Sequence, residues 1–264
     1  MVLEKLVSVR EAVKNPLSVF FLGAVVSLTS LFVSYFVFPQ SVGIFTSFMV
    51  TLSVAPFMYN LSKFAEARGE EVLKSRGEAN ILARHRDIIA VFVSFFTGMA
   101  VTFTFCYLFL PDHLGEKFFK DQLTTIQQIR GRAASPDTFQ TIVVNNIGVL
   151  VLAFVFSFLY GTGAIFILAW NASVLGTVIG MTAKSIGGFK ALPLAVLVYF
   201  PHGSLEMLAY FIGAIAGGIA SAAVTRRKTE LLPVVLKDSF RLLVVAIALL
   251  LVAGFIETVS IGYG

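Results

Sequence analysis

Long apolar stretches alternate with short polar segments along the chain, and this pattern predicts its main elements. Residues 17–38, 43–61, 88–110 and 242–259 are almost free of charged side chains. A helix needs about 20 predominantly apolar residues to cross the hydrocarbon core of a bilayer, and these stretches are close to that length. Each of the four is therefore predicted as a transmembrane helix.

Two further apolar stretches do not fit a single straight span. Residues 142–181 are too long for one crossing, so they are predicted to kink, with Gly161 as a hinge, or to divide into one span and a re-entrant tail. Residues 191–224 are too short for two crossings and contain Pro201 and Gly203 in their interior. Because these two residues break helices, the stretch is predicted as a hairpin that turns inside the membrane, with both residues as its hinge.

The composition agrees with a membrane protein. Hydrophobic residues make up 57% of the 264 positions and charged residues 13%, whereas a soluble domain carries about 25% charged residues. We therefore predict an all-α, polytopic integral membrane helix bundle with about five full transmembrane helices plus a broken or re-entrant helical hairpin. The whole chain, residues 1–264, is predicted as one transmembrane domain.

The polar segments between the spans predict the topology. Residues 1–16 have the apolar and basic spacing of an amphipathic helix that lies on the membrane surface. Residues 62–87, 184–190 and 226–241 are basic, whereas residues 112–140 are close to neutral. Cytoplasmic loops carry an excess of lysine and arginine, so the basic segments are predicted inside and residues 112–140 outside. This places the N-terminus in the cytoplasm and the C-terminus outside the cell membrane.

The outer segment, residues 112–140, also has apolar side chains at helical spacing. They are Phe118, Phe119, Leu123, Ile126 and Ile129. Such a helix would rest on the lipid bilayer or receive a partner membrane or extracytoplasmic protein.

Charge and cysteine content exclude several classes of function. The net charge of +5 would suggest nucleic-acid binding in a soluble chain, but here the basic residues lie between apolar spans, so no nucleic acid is expected. Cys106 is the single cysteine and lies within an apolar stretch, which excludes a disulfide framework and a thiolate metal site. No catalytic motif, cofactor site or metal site is predicted, although one histidine and two carboxylates leave an intramembrane metal hydrolase as a weak alternative to a non-enzymatic protein.

A small set of polar residues lies within the apolar stretches, where such groups are costly and usually turned inward, paired or used. They are Asn145, Asn146, Asn171, His202, Glu206 and Glu257. Turned inward, they would form one polar cluster in the bundle. One interpretation is that they only hold helices together through hydrogen bonds. The other is a binding site near the midplane for an ion or polar solute, as broken helices provide in transporters.

The order of these residues resembles the stage II sporulation protein M family. The matching features are Asn145-Asn146, Gly161, Asn171 with Gly176, Pro201-His202-Gly203 with Glu206, and Phe255-Ile256-Glu257. One position departs, because the family usually has Asn-Gly where this chain has Asn171-Ala172. The resemblance covers residues 145–257 well, and the N-terminal part only through its pattern of spans.

The resemblance implies a non-enzymatic integral membrane protein that acts as a scaffold or anchor for partner proteins. The namesake of the family is a membrane component that holds peptidoglycan-degrading enzymes at the septum of spore-forming bacteria. The alternative is a small transporter or channel for an ion, lipid headgroup or polar solute, centred on His202, Glu206 and Glu257. Gly213, Gly217 and Gly218 form a small-residue face that would also allow a homodimer.

Overall fold

The structure is a computed structural model, and it describes residues 7–76, 81–133, 138–160, 164–225 and 232–262. All regular secondary structure in these residues is helical. The helices are α1 (Val9–Lys14), α2 (Pro16–Val37), α3 (Val42–Arg76), α4 (Ile81–Phe109), α5 (Asp112–Phe118), α6 (Lys120–Ala133), α7 (Thr138–Tyr160), α8 (Ala164–Ile186), α9 (Leu192–Thr225) and α10 (Leu232–Gly262), with a 3-10 turn at Gly188–Ala191 between α8 and α9.

Seven helices of the described part are long and apolar enough to cross a membrane. The spans are Pro16–Val37, Val42–Phe64, His85–Phe109, Thr138–Tyr160, Ala164–Ile186, Gly188–Ser221 and Pro233–Ser260. The protein is therefore a multi-pass membrane protein, and the predicted all-α polytopic bundle is confirmed.

The two apolar stretches that did not fit a single straight span, residues 142–181 and 191–224, form three complete spans. Residues 142–181 divide into α7 and α8, which are both full spans, so neither a kinked single helix nor a re-entrant tail is present. The hairpin predicted for residues 191–224 is wrong, because α9 is one helix of 34 residues with Pro201 in its interior. Gly161 lies outside the described residues.

α9 continues through Pro201, and the reason lies in how many of its backbone hydrogen bonds remain. Proline removes one backbone N–H and so frees the carbonyl four residues earlier, which belongs to Leu197. Backbone hydrogen bonds before and after this point still form, and no water competes for them inside a bilayer. The chain therefore continues as a helix through Pro201, His202 and Gly203.

Six of the spans pack as two groups, and α3 contacts α2 and α8 of one group and α9 of the other. In one group α4 lies against both α2 and α8, and in the other α9 lies against both α7 and α10. Small residues permit the close crossings: a Cβ added to Gly98 on α4 would clash with the carbonyl oxygen of Phe20, and one added to Gly217 on α9 would clash with that of Phe154. Small residues at helix crossings are typical of membrane bundles.

The alternation of the spans defines two ends of the bundle. At the Lys184 end, the Lys184 ammonium donates to the Leu110 carbonyl oxygen at 2.8 Å and pairs with the Asp112 carboxylate at 2.6 Å. The opposite end holds Lys63 at the close of the second span and is called the Lys63 end. Residues 184–190 were expected on the same side as residues 62–87, but they lie at the other end. The expectation was wrong because it assumed a hairpin where α9 is a full span.

The predicted charged loop at residues 62–87 is largely helical, since α3 continues to Arg76 and α4 begins at Ile81. In the N-terminal segment, α1 covers only Val9–Lys14, and residues 1–6 lie outside the described part. That this segment lies on the membrane surface stays a prediction.

The outer segment, α5 and α6, packs its apolar side chains onto its own bundle. The Phe118 ring stacks on Tyr35 of α2 with ring centroids 4.0 Å apart, and Phe119 is fully buried. The expected amphipathic helix is thus present, but Phe118 and Phe119 are covered by α2 and α4 rather than by a lipid surface or a partner, whereas Ile129 is exposed.

Polar contacts also fix the outer segment. The Asp121 carboxylate accepts hydrogen bonds from the backbone N–H groups of Gly43 and Ile44 at 2.9 and 3.3 Å, so it caps the start of α3. The Gln122 amide nitrogen donates to the Ser173 hydroxyl of α8 at 3.1 Å. These bonds bind α6 to two spans of the bundle.

Candidate functional site

Glu206 lies on α9, and its carboxylate points into the bundle. Because α9 is helical through this region, residues four apart share one face, which places His202 one turn before Glu206 and Tyr210 one turn after it. Tyr210 is 1% exposed and close enough to the carboxyl groups of Glu206 and Glu257 to interact with them electrostatically.

Asn146 of α7 is the hydrogen-bond donor to Glu206. Its side-chain amide nitrogen lies 2.6 Å from a carboxyl oxygen of Glu206, which makes a short hydrogen bond. Asn146 is buried, and its own side-chain oxygen accepts a longer bond of 3.3 Å from Asn145. Asn145 is exposed on α7, so the bonded chain leads from the helix surface to Glu206.

Glu257 of α10 completes the cluster. Its carboxyl group lies within hydrogen-bonding reach of the Glu206 carboxyl group. Two carboxylates at this separation repel each other, so the pair is stable when a proton or a cation lies between them. The carboxyl cluster, defined as Asn146, Glu206 and Glu257, thus joins α7, α9 and α10 through groups that suit the binding of a small positive charge.

The carboxyl cluster lies in the half of the bundle nearer to the Lys184 end. Asn146 is in the first half of α7, which begins at that end, and Glu257 lies three residues before the close of its span. Glu206 is in the middle of α9. The cluster is therefore displaced from the midplane position expected from the sequence, toward one face of the membrane.

Two of the six residues expected in one polar cluster lie outside it. The His202 ring meets Tyr199 edge-to-face at 6.2 Å, and its Nδ1 atom is buried without a hydrogen-bond partner. Asn171 donates to the carbonyl oxygen of Ile167 in its own helix at 2.8 Å. The structure therefore brings together Asn146, Glu206 and Glu257, with Asn145 at the edge.

The sequence reasoning did not include Tyr210 in the site. The available signal was its spacing of four from Glu206, which puts both residues on one helix face. The described residues hold no group of three His, Cys, Asp or Glu side chains that could bind a metal ion. The cluster is thus a two-carboxylate site with an amide donor.

Comparison with known proteins identifies the family. The family model described as SpoIIM, stage II sporulation protein M, matches residues 88–260, which include every member of the carboxyl cluster. This chain belongs to the stage II sporulation protein M family. It is also 29% identical over 124 residues to an uncharacterized protein of Methanocaldococcus jannaschii, a match that covers 45% of this chain and 68% of the archaeal protein. No solved structure matches the chain.

Proposed function

We propose that this stage II sporulation protein M family member is a non-enzymatic membrane carrier that binds a proton or another small cation at the carboxyl cluster. The observation that carries the proposal is the contact between Glu206 and Glu257 inside the bundle. Ionisable residues within membrane spans are costly and typically mark ion or proton pathways.

The environment of the pair supports cation binding over a purely structural role. Asn146 donates one hydrogen bond to Glu206. The charged group that acts on Glu206 is the carboxyl group of Glu257, the other acid of the pair. Helices that only need to be held together would use an uncharged pair, since one interhelical hydrogen bond is worth only about 1 kcal/mol. Two adjacent acids instead provide a place where a positive charge is favoured.

The proposal includes an orientation. The Lys63 end holds the basic segment at residues 62–87, and α9 and α10 meet at that end near Lys237 and Arg241. Positive residues favour the cytoplasmic side, so we place the Lys63 end and the N-terminus inside and the C-terminus outside. The carboxyl cluster then lies nearer to the outer face of the cell membrane.

The test is cation flux in liposomes that contain the purified protein. Proton flux is followed with an internal pH-sensitive dye, and sodium and rubidium uptake with radioactive tracers. We expect flux of one of these cations for the wild type, and a fall of about tenfold or more for Glu206→Gln and Glu257→Gln, because glutamine keeps the shape but removes the negative charge.

Glu116→Gln is the matched control, since Glu116 is an exposed carboxylate on α5. It is expected to carry the same flux as the wild type. If the wild type shows no more flux of any of the three cations than empty liposomes do, or if the cluster variants match it, the carrier proposal is wrong.

A scaffold for partner proteins is the second candidate, and one observation favours it. The outer segment is fixed to the bundle through Phe118, Asp121 and Gln122, while Glu116, Lys117 and Lys120 are exposed. A rigid helical segment with a charged outward face is a suitable docking surface for a partner membrane or extracytoplasmic protein.

Pull-down from native membranes distinguishes the two candidates. For a scaffold, reversing the charges of Glu116, Lys117 and Lys120 should abolish recovery of a partner, and Glu206→Gln should leave recovery unchanged. For a carrier, Glu206→Gln should lose cation flux in the liposome assay, and the charge-reversed outer segment should keep the flux of the wild type. Equal recovery with the charge-reversed outer segment would rule out docking at this surface.

A further inference from the structure

A groove of about 300 Å³ separates α4 from α9, with Leu175 and Ile179 of α8 at its base. Its lining follows α4 from Val93 to Phe105, a distance of about 18 Å at the rise of an α-helix, so the groove is elongated along the helices.

Aromatic contacts lie near both ends of the groove. Toward the Lys63 end, the Phe96 and Phe211 rings meet edge-to-face with their centroids 5.4 Å apart. Toward the Lys184 end, the Phe105 ring lies 6.3 Å from that of Phe189 in the turn between α8 and α9. The lining on α4 continues about one turn beyond Phe96, to Val93, so the groove extends past the first of these contacts.

The wall of the groove is apolar even where it contains hydroxyl groups. Thr97 and Thr104 donate to backbone carbonyl oxygens one turn earlier in α4, at 2.7 and 2.8 Å. The Tyr199 hydroxyl lies 3.0 Å from the Thr182 hydroxyl, so these two satisfy each other. Ser204 is the remaining polar side chain of the lining, and no charged residue contributes to it. A polar solute would find few free hydrogen-bonding groups here.

The groove is continuous with the lipid-facing surface of the bundle. Val93, Val196 and Phe200 belong to its lining and are 41%, 37% and 62% exposed. All three lie within candidate membrane spans, where the surrounding medium is hydrocarbon. The groove therefore opens sideways into the bilayer.

We propose that the groove binds one hydrocarbon chain of a membrane lipid, lying lengthwise between α4 and α9. An apolar cavity of about 150 Å³ is already large enough to stay dry and take up a benzene molecule, and this groove has about twice that volume. Its length, its apolar wall and its opening to the bilayer fit a flexible, narrow and uncharged ligand.

A helix of a second protein suits this space less well than a single hydrocarbon chain does. An α-helix with side chains is about 10 to 12 Å wide, whereas a hydrocarbon chain is much narrower and matches an elongated groove between two helices. A helix would therefore cover the mouth and leave the interior empty, whereas an acyl or isoprenoid chain fills it. Protein interiors are close-packed, so a filled groove is the favoured state.

The proposed lipid would have a structural consequence. α4 belongs to the group of spans with α2 and α8, and α9 to the group with α7 and α10. A chain bound between α4 and α9 contacts both groups and so adds to the contacts that α3 and α8 already make with α9. This role is independent of cation binding at the carboxyl cluster, because neither Glu206 nor Glu257 lines the groove.

The test is native mass spectrometry of the purified, delipidated protein after addition of dipalmitoyl phosphatidylglycerol. We expect the wild type to retain one lipid. Gly203→Leu adds a side chain to the α9 wall, where an added Cβ would be 3.9 Å from Leu175 and so has room. We expect it to reduce retention by about tenfold or more, because displacing even two methylene groups from an apolar site costs that much affinity.

Gly148→Leu is the matched control, since Gly148 on α7 is exposed and nothing lies within 4 Å of an added Cβ. It should retain lipid as the wild type does. Phosphatidylcholine with the same chains should bind comparably, because the groove contacts the chain. If Gly203→Leu fails to fold, Ala100→Leu fills the groove from the α4 wall and should give the same loss.

Three outcomes would overturn the proposal. They are a wild type that retains no lipid, a folded groove variant that retains as much lipid as the wild type, and retention of phosphatidylglycerol without phosphatidylcholine. The last result would place recognition at the headgroup and away from this groove.

Discussion

Glu206 is half-buried in the bundle, and polar side chains from two other helices meet it. Asn146 donates a bond of 2.6 Å from α7, and the carboxyl group of Glu257 approaches from α10. A buried acceptor that loses its donor incurs the full cost of its desolvation, so the partners of Glu206 matter more than an average hydrogen bond does.

Replacement of Asn146 tests this dependence. We expect Asn146→Ala to lower the free energy of unfolding by about 1 to 3 kcal/mol, because it leaves a carboxyl oxygen of the half-buried Glu206 without its donor. Asn171→Ala is the control, since Asn171 bonds only to a carbonyl oxygen of its own helix. Chemical denaturation in detergent measures both, and an equal loss in the two variants would contradict the assigned role of Asn146.

Asp112 and Lys184 form an ion pair at the Lys184 end of the bundle. The hydrogen bond from Lys184, followed by the charge of Lys184, lowers the pKa of Asp112, and the nearby His113 acts in the same direction. Since the folded-state pKa is below the unfolded value near 3.8, the pair stabilises the fold above that pH. This contribution is lost as the pH falls through the lowered pKa.

The pH dependence of Asp112→Asn follows from this sign. At neutral pH we expect a slightly lower melting temperature than for the wild type, and the effect is small because Asp112 is exposed to solvent. Below the folded-state pKa of Asp112 the two proteins should melt alike. Thermal unfolding at a series of pH values measures the difference, and a gap that persists in strong acid would exclude the ion pair as its cause.

At the scale of elements, α9 shows that residues which break helices in isolation do not decide where a packed membrane helix ends. Proline, histidine and glycine in succession predict a break, but α9 continues through them because most of its backbone hydrogen bonds remain in place. Its second half is held closely, as the Ser157 hydroxyl donates to the Ala214 carbonyl oxygen at 2.7 Å and the Ser239 hydroxyl to that of Ala216 at 2.9 Å. Packing against α7 and α10 therefore stabilises α9 as one helix, where the sequence pattern predicted a hairpin.

The crossing of α9 with α7 depends on Gly217. We expect Gly217→Ala to destabilise the protein by about 1 to 3 kcal/mol, because the added methyl group would clash with the Phe154 carbonyl oxygen and force the helices apart. Gly148→Ala on the open face of α7 should instead stabilise it by about 0.5 to 1 kcal/mol through helix propensity. Unfolding in detergent compares them, and a Gly217→Ala protein as stable as the wild type would refute the close crossing.

At the scale of the whole molecule, the seven spans of the described residues set the start of the first span and the close of the last span at opposite ends of the bundle. The pairing of Lys184 with Asp112 also sets residues 184–190 opposite residues 62–87. A hairpin at α9 would have placed these two segments on the same side. The side of the membrane on which the 3-10 turn at Gly188–Ala191 lies therefore distinguishes a full span at α9 from a hairpin.

Cysteine labelling on intact cells tests the arrangement. In a Cys106→Ala background we expect a membrane-impermeant maleimide to label Lys190→Cys and to leave Lys63→Cys unlabelled until the membrane is opened. Both positions are exposed in the structure, so access depends on the side of the membrane alone. Labelling of both from outside would contradict the seven-span arrangement, and labelling of Lys63→Cys alone would reverse the proposed orientation.

The sequence by itself determined the class of this protein and the positions of most spans. Apolar length and low charge are local properties, and they require helices in a bilayer because only internal hydrogen bonds satisfy the backbone there. The sequence also marked Asn146, Glu206 and Glu257 as costly residues in hydrocarbon. The order of these residues resembled the family to which the chain belongs.

Tertiary structure alone decided which of these residues meet. Asn146, Glu206 and Glu257 are far apart along the chain, and they come together because glycines such as Gly217 bring α7 and α9 into close contact. His202 and Asn171 carried the same sequence signal, but His202 lies one turn before Glu206 against the Tyr199 ring, and Asn171 bonds to a carbonyl oxygen of its own helix. The groove between α4 and α9 likewise arises only from packing, since a gap between two helices is a property of neither helix alone.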